Sequence, residues 1–240
     1  MTELDAQGRS VGAEAAPFCR ASAEVVSERL ERVYRSAPLG NKKNPLDELV
    51  YIQLSVRTRE RAYQQTYAAL RRLVGGSWAR LLAVADDEAV CALAAGGMAV
   101  VKLRRLRSMF ARIQERFGRV SLAPLRRMDD VAAEQFLRSL PGVGYKVARC
   151  VLLYSLDRDV FPVDAHCFRI MYRLGWVRPG LAYRQAHNQL QDFIPRGMRG
   201  RLHVNMVHHG RAVCVAGLPR CSECVLLDVC PTGRRSRQPA

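Results

Sequence analysis

The sequence predicts an all-α protein of 240 residues, and three observations lead to that prediction. Apolar residues recur near the 3.6-residue spacing of a helix almost throughout the chain, and no stretch alternates convincingly as a strand. Hydrophobic residues make up 49% of the chain, which is enough to bury a substantial core. The length leaves room for one large domain or two small ones.

The first helices can be placed from their caps and their apolar spacing. Asn44 and Pro45 have the residue types of an N-cap and a first helical position, and an apolar stripe follows them. Further helices are predicted over 61–73 and 100–117. The helix over 100–117 has an apolar face and a strongly basic face. The basic face is either a solvated surface or a set of phosphate contacts.

A glycine-rich hairpin follows the next helix. That helix begins at Asp129 or Asp130 and must end near Leu140, because a Pro-Gly pair comes next. The segment 140–148 reads Leu-Pro-Gly-Val-Gly-Tyr-Lys-Val-Ala and starts another helix at once. Glycines and the N–H groups of a helix start can cradle a phosphate. The alternative is an ordinary helix turn with glycine as the C-cap.

The charge balance predicts a polyanionic partner, with nucleic acid as the first expectation. The chain has 38 Lys and Arg against 22 Asp and Glu, a formal net charge of +16 at pH 7. All but four of the basic residues are arginine, and the lysines are Lys42, Lys43, Lys102 and Lys146. Lysine can become an amine nucleophile once its pKa is lowered, whereas arginine stays protonated. A lysine inside a structured motif is therefore informative.

The sequence predicts a cytoplasmic protein, associated with the nucleoid if the source is bacterial. No window holds the roughly 18 uninterrupted apolar residues of a membrane span, and the polar start lacks the apolar core of a signal peptide. Residues 1–20 are expected to form a disordered tail, and residues 232–240 a basic tail.

Four cysteines lie close together near the end of the chain. Cys214, Cys221, Cys224 and Cys230 have the spacing C-x6-C-x2-C-x5-C. In a reducing compartment such a group indicates a metal site, and four thiolates can hold either zinc or a [4Fe-4S] cluster. The adjacent pair His208 and His209 does not predict a metal site, since neighbouring helical residues point in different directions.

These motifs together resemble the helix-hairpin-helix DNA glycosylases of the endonuclease III family. The Leu-Pro-Gly-Val-Gly hairpin is followed at family spacing by Lys146, and the Val163-Asp164 pair matches the family's Val-Asp segment. The resemblance covers approximately residues 44–230. It implies a two-domain fold: a helical barrel domain over 46–157 that contains the hairpin, and a discontinuous iron-sulfur domain formed by 21–45 and 158–231.

The resemblance implies that Lys146 is the catalytic lysine of a bifunctional enzyme. A neutral amine can attack the sugar C1′, release the base and form a Schiff base that permits strand cleavage by β-elimination. The pocket is therefore expected to lower the pKa of Lys146 through burial or nearby positive charge. Asp164 is expected to stabilise positive charge on the sugar and assist proton transfer, although taken alone it also fits an N-cap.

The resemblance also implies a cofactor and a set of DNA contacts. The cysteine spacing matches the family's [4Fe-4S] signature, with Arg220 carried toward a phosphate on the loop between ligands. The hairpin would bind DNA through Gly142, Gly144 and Tyr145. Two further loops fill the gap left by a flipped nucleotide, and they correspond here to segments containing Arg57 and Met98, with Lys102 as a phosphate partner.

Two departures from the family bear on the substrate. Endonuclease III relatives commonly have glutamine at the position of Arg57, which affects opposite-strand contacts. Met98 is either an apolar wedge or a packing residue at a helix start. The Gly-Met loop and the Phe161-Pro162-Val163-Asp164 run also resemble the catalytic core of plant 5-methylcytosine DNA glycosylases.

The expected activity is that of a DNA glycosylase and AP lyase in base excision repair, which removes damaged, chiefly oxidised, pyrimidines. The expected partner is double-stranded DNA with damaged bases or abasic sites, bound by a monomer and without a membrane. One alternative is a catalytically weak DNA-binding or damage-sensing protein. Another is an AP lyase with little glycosylase activity.

Overall fold

The computed structural model describes residues 20–177 and 180–235, and within them the fold is all-α with no strand. The helices are α1 (Arg20–Tyr34), α2 (Pro45–Ser55), α3 (Glu60–Leu73), α4 (Asp86–Leu93), α5 (Ala99–Phe117), α6 (Asp130–Ser139), α7 (Tyr145–Leu156), α8 (Ala165–Arg173), α9 (Tyr183–Phe193), α10 (Arg199–Ala212) and α11 (Pro231–Arg235). Short 3₁₀ turns connect several of them. The predicted fold class is confirmed.

Side-chain caps start the helices where the sequence predicted. The Asn44 side chain accepts hydrogen bonds from the N–H groups of Leu46 and Asp47, at 2.9 and 3.2 Å, and so begins α2. Asp129 caps α6 through the N–H of Ala132 at 2.8 Å. These bonds satisfy backbone donors that have no partner inside their helices.

The apolar residues form two separate clusters. One is built from residues between Leu46 and Val160. The other combines residues of α1 with residues between Phe161 and Leu226. The chain passes from the first cluster to the second at Val160 and Phe161, between α7 and α8. This membership supports the proposed division into two domains, with the chain before α2 packing on the later part.

The chain ends differ from expectation where they can be described. Helix α11 covers Pro231–Arg235, so the first residues of the expected basic tail are helical. Helix α1 begins at Arg20, the last residue of the expected N-terminal tail. The remaining tail residues, 1–19 and 236–240, lie outside the described residues. No helix in the described part of the chain is long and apolar enough to cross a bilayer.

Candidate active site

The hairpin between α6 and α7 exposes backbone. Gly142 has φ +75° and accepts a hydrogen bond from Gln53 Nε2 at 3.0 Å. The positive φ favours glycine, and a Cβ at Gly142 would lie 2.7 Å from Cδ of the flexible Arg105 side chain. Gly144 is the N-cap of α7, is exposed, and has no atom within 4 Å of where a Cβ would be. An open cavity lies at the start of α7 and is lined there by Gly144, Lys146 and their neighbours.

Lys146 and Asp164 line the same cleft, although they belong to different helices. Lys146 lies in the first turn of α7, and Asp164 is the N-cap of α8. The cleft holds about 540 Å³ of empty space, part of it open to solvent. Its lining also includes Asn41, Tyr51, Ser55, Tyr63, Cys150, Tyr154, His203 and Arg211. An amine and a carboxylate thus face one space of a size that can admit a nucleobase.

The pKa of Lys146 is raised, which is opposite to the expectation from the sequence. The largest cause is Cys150, one turn later on α7; Asp164 and Glu48 act in the same direction, and burial opposes them. Burial also raises the pKa of Cys150, to about 12. The expected decrease in the pKa of Lys146 was wrong, because Cys150 together with Asp164 and Glu48 outweighs burial.

Asp164 combines a structural and an electrostatic position. Its Oδ1 accepts a hydrogen bond from the N–H of Cys167 at 2.7 Å and so caps α8. Burial alone would raise its pKa, but His203, the Cys167 N–H, His166 and Lys146 outweigh burial, and the net pKa is lowered. Asp164 is therefore a carboxylate near neutral pH and is held in a fixed orientation by its cap bond.

Helix α2 lines part of the cleft and also carries a buried carboxylate, and sequence reasoning missed both features. Glu48 is fully buried and accepts hydrogen bonds from Asn41 Nδ2 and from the Lys42 N–H, the latter at 2.6 Å. Desolvation is the largest influence on the pKa of Glu48 and raises it. Tyr51 packs edge-on against Tyr63, with ring centroids 5.1 Å apart. No local signal in α2 marks Glu48 as the buried polar residue, because Asp47, Gln53 and Ser55 are also polar.

Tyr145 lies outside the cleft. The Arg138 guanidinium carbon lies 3.5 Å from the centroid of its ring, and His187 stacks on it at 5.5 Å. These residues line a second open cavity together with Lys146, Gly144 and Tyr183. Tyr145 thus lines a different cavity from the one that Asp164 lines.

The loops that contain Arg57 and Met98 lie next to each other. We call residues 56–59 and 96–98 the loop pair. Arg57 is exposed with φ +52°, and Met98 is 50% exposed with φ +53°. Thr58 Oγ1 lies 2.9 Å from the carbonyl oxygen of Gly96, which joins the two loops directly. Met98 is thus the half-exposed N-cap residue of α5, a position compatible with both the wedge and the packing interpretation, and the choice between them stays a prediction.

Lys102 does not have the position predicted for a phosphate contact. It is only 6% exposed, and its ammonium group donates hydrogen bonds to protein oxygens beneath the loop pair. The prediction failed because a basic residue at the start of α5 was assumed to face solvent, as its exposed neighbour Arg104 does.

The four clustered cysteines line one cavity with about 300 Å³ of empty space, part of it open to solvent. None of Cys214, Cys221, Cys224 and Cys230 forms a disulfide. Among the described residues, no three His, Cys, Asp or Glu side chains converge closely enough to hold a single metal ion. A [4Fe-4S] cluster places each thiolate on a different iron, so thiols spread around a small cavity fit a cluster.

Basic groups surround this cavity. Arg173 Nη1 lies 3.1 Å from Cys214 Sγ, and His209 Nε2 lies 3.5 Å from Cys224 Sγ. Arg220 is exposed at the rim, on the segment between two cysteines. Arg173 and His209 were not singled out as neighbours of the cysteines in the sequence analysis, since they come from α8 and α10.

The chain is similar in sequence and in fold to known DNA glycosylases. No protein-family model matches the chain. Endonuclease III of Treponema pallidum is 31% identical over 188 residues, 78% of this chain and 84% of that protein. A candidate DNA glycosylase of Arabidopsis thaliana is 31% identical over 170 residues, 71% of this chain but only 58% of that longer protein. Among solved structures, a trapped endonuclease III–DNA covalent intermediate superimposes with a TM-score of 0.79 at 22% identity, covering 92% of this chain and 99% of that one.

Proposed function

The chain belongs to the endonuclease III family of DNA glycosylases, and on that premise we propose that it is a bifunctional glycosylase and AP lyase of base excision repair. The proposed substrate is double-stranded DNA with a damaged base or an abasic site, and oxidised pyrimidines are the leading class. The observation that carries the proposal is that Lys146 and Asp164 line one cleft of suitable size.

The proposed reaction begins when the damaged nucleotide leaves the base stack and enters the cleft. The neutral amine of Lys146 attacks C1′, and the bond between C1′ and the base breaks with its electron pair leaving on the base, which takes up a proton. Ring opening gives an imine between Lys146 and the sugar. Loss of a proton from C2′ then expels the 3′ phosphate by β-elimination.

The carboxylate of Asp164 has two proposed roles in this sequence. Its negative charge stabilises the positive charge that develops on the sugar as the base departs. It also assists the proton transfers that accompany ring opening. Its lowered pKa keeps it ionised for the first role, and its bond to the Cys167 N–H fixes the direction of the charge.

Binding of DNA is proposed to use exposed backbone and basic side chains around the cleft. Gly142 and Gly144 offer an open helix start to a phosphate. Arg57 and Met98 extend from the loop pair, and Arg220 extends from the cysteine segment. A net charge of +16 supports an electrostatic contribution that salt should weaken, and the proposed binding unit is a monomer.

We propose that Cys214, Cys221, Cys224 and Cys230 hold a [4Fe-4S] cluster. Bound there, the cluster would act as a structural link that fixes the segment carrying Arg220. Replacing Cys224 by serine removes one ligand, so we expect the variant to lose the visible absorbance of the cluster and to melt at a lower temperature. Cys91→Ser is the matched control, since Cys91 is exposed and far along the chain from this segment. Equal absorbance in both variants would contradict the assignment.

Borohydride trapping tests the proposed activity. Wild-type protein should be trapped covalently on duplexes with an abasic site and on at least one duplex with thymine glycol, dihydrouracil or 5-methylcytosine. Lys146→Ala should lose trapping entirely but retain DNA binding, because the substitution removes the amine and leaves the binding surface. Lys43→Ala, at an exposed lysine, is the control and should trap normally.

Each other result of the trapping experiment has a definite meaning. Trapping confined to the abasic duplex would reduce the activity to that of a lyase. Trapping of the Lys146→Ala protein would show that another group is the nucleophile. Absence of trapping on every duplex would favour a DNA-binding or damage-sensing protein.

A further inference from the structure

The ammonium group of Lys102 is buried and completely hydrogen-bonded. Its Nζ donates to the Leu54 carbonyl oxygen at 3.0 Å, to Thr58 Oγ1 at 2.6 Å and to the Gly96 carbonyl oxygen at 2.7 Å. An ammonium group has three hydrogens, so every donor is used. The group therefore has no hydrogen left with which to bind a phosphate.

The three acceptors belong to separate segments. Leu54 lies in the last turn of α2, Thr58 lies in the first loop of the loop pair, and Gly96 lies in the second. The Thr58 hydroxyl accepts from Lys102 and can donate to the Gly96 carbonyl oxygen at 2.9 Å. Lys102 and Thr58 thus form a closed polar link between the two loops and the end of α2.

This arrangement is costly if its purpose is only to fill space. Burial of an ammonium group disfavours the charged form and lowers the pKa of Lys102, and an apolar side chain of similar volume would avoid the cost. In the described part of the chain, no carboxylate lies within 4.0 Å to form an ion pair with it. The buried ammonium group instead fixes the local geometry, because its three directed hydrogen bonds hold three segments in place at once.

Gly96 packs so closely against Thr66 of α3 that it has no room for a side chain. A Cβ there would lie 2.8 Å from Thr66 Oγ1 and 3.4 Å from the Lys102 Nζ. Gly96 itself is buried, whereas Gly97 and Met98, the next two residues, are exposed. The second loop is thus anchored at its base and free at its tip.

The tips of the loop pair carry backbone strain and apolar surface. Arg57 and Met98 are non-glycine residues with left-handed φ values, a strained conformation that persists only where surrounding bonds enforce it. Val56 and Met98 are 37% and 50% exposed. Exposed apolar side chains held in a strained conformation suit insertion between bases.

We propose that Lys102 is a positioning residue that holds the two loops in a fixed relation, so that Arg57 and Met98 enter the duplex together as a nucleotide leaves the stack. The inference deepens the proposed function and rests on it. A displacement of about 1 Å at such a site can reduce a rate about 100-fold, which is why a fixed relation between the loops matters.

Fluorescence of 2-aminopurine tests the inference without requiring any chemistry. The probe is a duplex with 2-aminopurine opposite a tetrahydrofuran abasic analogue, and the protein is present at saturation. Wild-type protein should raise the fluorescence, because the loops displace or unstack the opposite base. Lys102→Met should still bind the duplex but lose most of this rise, since the side chain keeps its length and loses its three hydrogen bonds.

Two further variants make the result decisive. Thr58→Val removes the shared hydroxyl, leaves Lys102 in place and should also lose part of the rise; it decides the matter if Lys102→Met does not fold. Lys43→Met makes the same substitution at an exposed lysine and should behave as wild type. A full rise with Lys102→Met, or no rise with the wild type, would overturn the proposal.

Single-turnover rates separate positioning from general stability. Release of an intact damaged base should fall about 100-fold in Lys102→Met, while trapping on an abasic site, which has no base to unstack, should change by less than about threefold. A parallel fall in both rates would indicate only a loss of folded protein and would overturn the proposal. If the wild type raises the fluorescence but never releases a base, the glycosylase proposal fails and the positioning role stands.

Discussion

Lys102 and Lys146 are both drawn into the protein, but their surroundings are opposite. Lys102 is enclosed by three neutral oxygens beneath the loop pair, and burial lowers its pKa. Lys146 faces an open cleft; Cys150, then Asp164 and Glu48, raise its pKa above the usual value. The neighbours of Lys102 therefore fix the relative position of the loops, whereas the neighbours of Lys146 influence the charge of its amine.

Helix α2 takes part in both environments. Its last turn presents the Leu54 carbonyl oxygen to Lys102, where a positive charge is favourable at a helix C-terminus. Its first turns place Glu48 in the core beside the cleft. One helix thus connects the loops proposed to enter the DNA with the amine proposed to attack the sugar. The two lysines have different roles because their neighbours differ.

Among the changes that test this difference between the two lysines, Asp164→Asn is expected to have the largest effect on the rate of covalent trapping. The amide keeps an oxygen that can accept from the Cys167 N–H, and Asn is as good an N-cap as Asp. The variant loses the charge, so the rate of covalent trapping should fall about 100-fold or more. The 2-aminopurine response should be unchanged, because no part of the Lys102 link involves this carboxylate.

Asp129→Asn is the matched control for that change. Asp129 caps α6 in the same way, through the N–H of Ala132, but does not line the cleft. Thermal unfolding should be nearly the same for both variants and the wild type. If Asp129→Asn slowed trapping as much as Asp164→Asn, capping rather than charge would explain the effect.

A smaller effect is expected in the pH dependence of trapping. Because the attacking amine must be neutral and the pKa of Lys146 is raised, the trapping rate should increase about tenfold per pH unit below that pKa. Glu48→Gln removes one of the anions that raise it. The rising limb should therefore shift to lower pH, and the rate at neutral pH should increase.

Lys102→Met supplies the contrast for the pH measurement. Its trapping rate on an abasic site should follow the wild-type pH profile, since Lys102 is not among the groups that influence the pKa of Lys146. A shift to higher pH in Glu48→Gln, or a shifted profile in Lys102→Met, would show that the charges around the amine have been assigned incorrectly.

Local sequence chemistry predicted the helical framework and most of the caps. Asn44, Asp129 and Asp164 each cap a helix through bonds to N–H groups two or three residues away, so a short window of sequence holds all the participants. The hairpin was predicted for the same reason, because the positive φ of Gly142 is a requirement of the turn itself. The cysteine segment is also local, and its four thiols line one cavity as the spacing suggested.

Tertiary structure alone decided what the two lysines contact. Lys102 bonds to Leu54, 48 residues earlier in the chain, and no local pattern reveals that its ammonium faces inward. The raised pKa of Lys146 depends first on Cys150 and then on Asp164 and on Glu48 from α2, which together outweigh desolvation. The sequence by itself determined which residues can donate, cap and react. The charge states of these residues and the partners that they contact were decided only by packing. The physical reason is that electrostatic energies depend on distances between groups that are remote along the chain.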